Sequence, residues 1–454
     1  MKLQILLSAF LCTGVAAEAQ TNPVITKWLR NTTGLLGRHY NSGSSTPIND
    51  ADSANVQTVL YSGTSAYIRT KGIPGYVTGP FLDGNPSIAT NQNAIFKFPL
   101  TPTPKTGTPT PTTMGNIGVF INGVALFDYR DGVSWRNSTG AMAGGPIPGG
   151  PGDGVWNRDA VVAEKGGFDC SKGHPAMGNY HHHQNPSAFK LDKNVISTIC
   201  NLYDADGLYA IDSTQHSPLL GFAYDGYPIY GAYGYKNVDG TGGIVRIKSS
   251  YSLRSITTRT TYADGSTVTP GPAVSTTYPL GLFREDYQYN ATSAATPDYL
   301  DEHNGRFCVT PEYPSGTYAY FCTVDANWNS AYPYAVGPTF YGNVVVSKVP
   351  SITETVTVYN PSTSGVATET EGSILLNAFP NPTADFVAVQ VGQLVTSDLS
   401  VDVFDMTGRL VQRSKIAQGS TITYVDTRTL YNGDYVIKVH NGTLSLSRKI
   451  TIAR

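Results

Sequence analysis

Residues 180–183 read Tyr-His-His-His, followed by Gln184-Asn185-Pro186, in a chain that holds only eight histidines. Imidazole changes charge near pH 7 and offers a nitrogen lone pair, so three in a row concentrate metal or proton chemistry at one place. In an extended stretch, successive side chains point to opposite faces. His181 and His183 then share one face as a ligand pair, while Tyr180 and His182 take the other. A His-x-His pair on a strand can give two nitrogens to one metal ion. His174, before Pro175, and His216, in His216-Ser217-Pro218, are the nearest histidines that flanking loops could add. Three or four nitrogen ligands suit copper or zinc. Asp169, Asp225 and Asp301 are available to orient an imidazole through its second nitrogen. Tyr180, His182, Tyr224 and Tyr227 are candidates for the pocket wall. Taken singly, a histidine beside proline is more often a turn residue bonded to backbone. The grouping is what favours a site. A metal with an open position polarises a substrate or activates water, and whether this chain catalyses anything stays open.

Strands must position these residues. From about residue 22 to 346, short β-like runs alternate with Gly, Pro, Asn and Asp turn signals. Ile117–Ile121, Val124–Phe127, Gly221–Tyr224 and Thr317–Thr323 are such runs, and Ala94–Phe98 alternates as a half-buried strand should. Lys193–Leu202 is the best helix candidate. Thr101–Thr113, rich in proline and threonine, reads as an extended surface loop, and residues 136–154 as a second long one. Asp225-Gly226-Tyr227-Pro228 is at least as good a tight turn as a site. Asp204-Ala205-Asp206-Gly207 lacks the later oxygen ligands and closing glutamate of a calcium loop.

The fold class is therefore mainly β: a large β-rich domain with long loops, then a second, smaller unit. Ser, Thr and Glu dominate residues 350–373, which read as a linker. Beyond it, Phe386–Val391, Ser400–Phe404, Thr421–Val425, Tyr435–Val439 and Leu444–Thr451 alternate as the strands of a small Ig-like antiparallel β-sandwich.

Lys2, the apolar run Leu3–Val15 and Ala17-Glu18-Ala19 form a secretory signal over residues 1–19, leaving residues 20–349 as the large domain. The apolar run is too short for a membrane anchor, so no span is expected after cleavage. Export leaves Cys170, Cys200, Cys308 and Cys322 in an oxidising compartment. A turn at Pro314-Ser315-Gly316 would pair Cys308 with Cys322, and Cys170–Cys200 follows by elimination. The 31 Lys and Arg against 33 Asp and Glu form no basic stripe, which excludes nucleic acid as a partner. No nucleophile elbow, zinc-protease helix, Walker loop or dinucleotide fingerprint is present.

Two resemblances follow from motifs in order. Phe379-Pro380-Asn381-Pro382, Val401–Val411, Gly433–Val439 and Lys449–Ile452 closely resemble the type IX secretion C-terminal sorting domain of Bacteroidota, over about residues 374–454. The resemblance implies Sec export, passage by the type IX machinery and removal of the domain by its C-terminal signal protease. The product would be released or attached to surface lipopolysaccharide.

Trp156–Ala160 through His174-Pro175, then Tyr180–Pro186, His216-Ser217-Pro218 with Gly221–Gly231, and Leu300–Arg306 with Gly316–Tyr320 resemble the YHYH domain family of exported proteins. The second tyrosine of that motif is His182 here. The family resemblance fixes the domain better than the activity. The leading expectation is a secreted or cell-surface domain binding copper or zinc through His174, His181, His183 and His216. The alternative is a non-catalytic surface protein, for example glycan-binding through tyrosine-lined clefts, with structural histidines.

Overall fold

The computed structural model describes residues 21–360 and 376–454, apart from 45, 84–86, 146, 148, 189–206, 294, 346–347, 380, 392–394, 396 and 442–443. The signal segment, the expected helix at 193–202, Cys200, Asp204 to Asp206 and most of the expected linker lie outside the described residues. The chain divides into two compact units, residues 1–364 and 365–454.

An eight-stranded sheet dominates the first unit. Its strands, in chain order, are β1 (Asn116–Phe120), β2 (Ala125–Phe127), β3 (Gly173–Ala176), β4 (Asn179–His182), β5 (Leu219–Ala223), β6 (Pro228–Tyr230), β7 (Gly305–Thr310) and β8 (Tyr313–Phe321). Across the sheet they run β3-β4-β2-β1-β5-β6-β8-β7. Four hairpins lie side by side. β4 meets β2 and β6 meets β8 in parallel, and β1 meets β5 antiparallel. The strands are short and rich in Val, Ile, Phe and Tyr, whose branched or flat side chains fit a pleated surface. Val119, Phe120, Phe222, Ile229, Tyr320 and Phe321 are fully buried in one apolar cluster.

A second sheet of this unit contains Ala94–Pro99, whose side chains alternate buried and half-buried as the sequence pattern requires. Its edge strand is Thr357–Val358, paired with Leu60 and Tyr61. Tyr359 extends the attachment, donating its amide to Val59 and accepting from the Arg30 guanidinium. The first part of the expected linker is therefore sheet, because its backbone groups find partners on an open strand edge. The expected loop at 136–154 likewise begins as structure. Arg130–Arg136 and Ala141–Gly144 form a hairpin.

The expected Cys308–Cys322 disulfide is wrong. Both cysteines are free and buried. The hairpin turns at Pro311-Glu312, with Thr310 opposite Tyr313, so Cys308 faces Thr317 rather than Cys322. Cys170 is buried and is not one of these free thiols.

The C-terminal unit has a three-stranded sheet containing Phe386–Val391 and a four-stranded sheet containing Leu399–Asp405 and Gly433–His440. Val387, Val389, Val401, Val403, Ile437 and Val439 alternate inward and build its core. Seven antiparallel strands in two sheets are an Ig-like sandwich arrangement.

Candidate metal centre

The β3–β4 hairpin sets His174 directly opposite His181, so both rings leave the same face. His183 follows two residues later and returns to that face. Met177 and Gly178 close the hairpin with positive φ of 48° and 83°. Gly173 has no room for a side chain, since a Cβ there would meet the Tyr180 ring.

Three Nε2 atoms converge. His181 Nε2 lies 3.1 Å from His183 Nε2, which lies 3.4 Å from His174 Nε2. Of the described His, Cys, Asp and Glu residues, only this trio forms a group able to hold a metal ion, its ligand atoms within 4.8 Å of one another. Phe127 stacks on His181 at 3.8 Å, and Phe168 meets His174 edge-on at 4.9 Å. These contacts restrict the rings.

The opposite nitrogens fix the tautomers. His181 Nδ1 lies 2.8 Å from the Asn179 carbonyl, and His183 Nδ1 lies 2.6 Å from the Asp128 carbonyl. A carbonyl only accepts, so both Nδ1 atoms carry hydrogen and both neutral Nε2 atoms present lone pairs. Protonation is opposed by burial. His174 is held down to about 3 and His183 to about 4, chiefly by desolvation. Desolvation, reinforced by His183 and His174, holds His181 well below the ordinary range. Two lone pairs therefore face each other at 3.1 Å.

Glu164 completes the cluster. It ends the short helix Ala160–Ala163, whose first amides are capped by the Asp159 carboxylate. Its Oε2 sits 3.4 Å from His174 Nε2 and 3.5 Å from His183 Nε2, buried and, among the described residues, without a hydrogen bond. Burial, then repulsion from Asp131, pushes its carboxyl up to about 8. The sequence reasoning missed it, because one glutamate ten positions before His174 belongs to no spaced motif.

The remaining expected residues lie elsewhere. His182 points to the opposite face and bonds the Tyr76 hydroxyl at 2.7 Å. On that face Tyr180 donates to Asp169 at 2.7 Å, and Ser171 bonds both. Asp169 also accepts the amides of Ser171, Gly173 and Gly79, so it is a backbone clamp rather than an imidazole partner. His216 does not join the trio. Its ring sits among Tyr230, Tyr235 and Phe321, beyond the middle of the sheet, with Nδ1 on the Ser217 carbonyl. Asp225 accepts from Tyr320 at 2.6 Å, and Asp301 from Tyr318 at 2.9 Å, both in that other half. Tyr224 and Tyr227 flank Asp225 there. His216, Tyr224, Asp225, Tyr227 and Asp301 lie apart because β5 to β8 form the other half of the sheet, whereas Tyr180 and His182 share the trio's hairpin but take its opposite face.

Comparison with known families agrees with this architecture. Residues 377–453 match the secretion system C-terminal sorting domain, which marks the chain for export to the cell surface or the medium through type IX secretion. Among the described residues no helix is long and apolar enough to cross a membrane. No curated protein matches the chain. Residues 95–333 match the YHYH protein family, and as that is more than half of the 454 residues, the chain belongs to this family.

Proposed function

We propose that the exported domain binds one transition-metal ion, copper or zinc, through Nε2 of His174, His181 and His183. Glu164 stands beside them as a fourth ligand or as the group that holds a bound water. The observation that carries this reading is the pair of facing lone pairs, locked in place by the Asn179 and Asp128 carbonyls. A cation between them turns a repulsive arrangement into a favourable one. Two of the three spacings, 3.1 and 3.4 Å, match the roughly 3.3 Å that separates tetrahedral nitrogen ligands at zinc distances, and all three atoms lie within 4.8 Å of one another. The carboxylate with an unclaimed oxygen is the expected neighbour of such an ion. A bound ion would supply Lewis acidity or, for copper, redox chemistry at the Glu164 side. The chain's own residues bury the imidazoles and hold them neutral.

Metal analysis of the purified domain, with His181→Ala and His183→Ala beside wild type, tests the reading. One equivalent in wild type and none in the variants is expected. Negligible metal in all three after reconstitution would remove it.

A second reading rests on an open cleft of about 490 Å³ lined by Arg130, Tyr262, Asp264, Arg284, Glu285 and Tyr287. Aromatic rings with charged groups of both signs suit glycan recognition. Glycan-array binding that survives chelation and fails in Tyr262→Ala would favour it. We further propose that Cys170 pairs with Cys200, and that the sorting unit is cleaved on export, leaving the domain free or tethered to lipopolysaccharide. Intact-mass measurement of the surface form checks both.

A further inference from the structure

The eight-stranded sheet reads the same from either edge, and the agreement extends to single residues. β1–β2 and β5–β6 share one register: Gly118 faces Leu126 as Gly221 faces Ile229, with an irregularity at the same step. Their turns match, with Gly123 and Gly226 at φ of 82° and 90° and Asn122 and Asp225 each capping the amide two residues on. Between the hairpins, Ile121 donates to Leu220 while Tyr224 donates to Ile117.

The outer hairpins agree as closely. Asp169 and Asp301 each donate their amide to the carbonyl of the glycine four residues later, Gly173 or Gly305, and accept that glycine's amide on the side-chain carboxylate. Lys172 and Asn304 precede those glycines with φ of 65° and 63°. Each glycine lies against a tyrosine ring, Tyr180 or Tyr318, whose hydroxyl donates to the same aspartate. Gly173 pairs with His182 and Gly305 with Tyr320, and these partners face Leu126 and Ile229. Chance packing does not reproduce register, turn conformation and side-chain capping together.

This correspondence sets His174, His181 and His183 against Arg306, Ala319 and Phe321. We infer that the domain is an internal duplication, and that in its second copy the Arg306 guanidinium occupies the place that a metal ion takes in the first. Arg306 is 7% exposed and reaches the backbone carbonyls of Tyr235, Lys236 and Pro297, with its guanidinium 5.4 Å from the Phe321 ring. A permanent cation with fixed donors fills a polar pocket without needing lone pairs from the strands. Ala319 and Phe321 are the residues that remain when ligands are no longer required. The assignment of the first copy as the metal-bearing one rests on the proposed function above.

Exchanging the three residues tests the inference. The Arg306→His/Ala319→His/Phe321→His variant of the exported full chain, loaded with zinc or copper, is expected to hold two equivalents where wild type holds one. Wild type at one and a folded variant also at one overturns the duplication of the site. Wild type at zero instead overturns the metal reading of the first copy. Should the triple variant misfold, Arg306→Lys and Arg306→Gln decide. A resident cation predicts that Lys keeps most of the melting temperature and Gln loses several degrees more. Equal losses overturn the inference.

Discussion

The two halves of the large sheet share a backbone and differ in chemistry. Whatever appears in both halves is needed to make the fold. The clamps Asp169 and Asp301, the rings Tyr180 and Tyr318, and the paired glycines belong to this class. Whatever appears in one half alone is free to carry a function. That leaves His174, His181, His183 and Glu164 on one side and Arg306 on the other. The second half thus acts as an internal control for reading the first, and it moves Tyr180, His182 and Asp169 from the site to the scaffold.

The contrast breaks most visibly through the ligands. His183→Ala is expected to abolish metal retention, whereas Phe321→His alone adds none, because one nitrogen cannot hold an ion there. Plasma emission analysis of both variants reads this difference. If His183→Ala retains its metal, the first half loses its distinction.

Next in size is the shared clamp. Asp169→Ala and Asp301→Ala each strand several buried donors, so each is expected to lose about 3 kcal/mol or more of stability. Denaturant melts should give similar losses for the two. A loss confined to Asp169 would return that residue to the metal centre.

Acidification supplies a third comparison. Unfolded histidine takes a proton near 6.5, while folded His174 and His183 do so only at about 3 and about 4. Below pH 6.5 the unfolded chain therefore binds more protons, and stability present at pH 7 is lost as pH falls toward those values. In chelator, the denaturation midpoint of wild type should drop more between pH 7 and pH 5 than that of the His174→Ala/His181→Ala/His183→Ala variant. Identical slopes would show that the trio is not buried as neutral rings.

The smallest expected effect is that of His182→Tyr, which restores in the first half what Tyr320 is in the second. Since His182 bonds Tyr76 on the face away from the trio, metal content should stay at one equivalent. Stability should shift by about 1–3 kcal/mol from the larger ring. A drop in metal content would tie His182 to the site.

Much of the fold was legible because alternation is local. Phe386–Val391 matches its pattern to the residue, and Ala94–Pro99 differs by one position. The shared face of His181 and His183 follows from the same two-residue period. Glu164 was not legible, since only the end of the one-turn helix Ala160–Ala163 aims it at the rings. Cys308–Cys322 failed because the turn formed three residues earlier than the Pro-Ser-Gly signal suggested. The repeat was hidden because its two copies keep few identities, preserving glycines, aspartates and tyrosines while exchanging everything between them.

The sequence by itself determined a β-rich exported chain, a sorting sandwich at its end and a strand with two histidines on one side. Side-chain alternation and turn chemistry act over a few residues, so they are written in the order of the chain. Only the tertiary structure decided which third histidine and which carboxylate join that pair, and which half of the sheet holds them. His174 joins through the register of its own hairpin and Glu164 through the short helix before it, whereas His216 is kept apart because β1 pairs with β5, where strand order, not chain order, sets who is near.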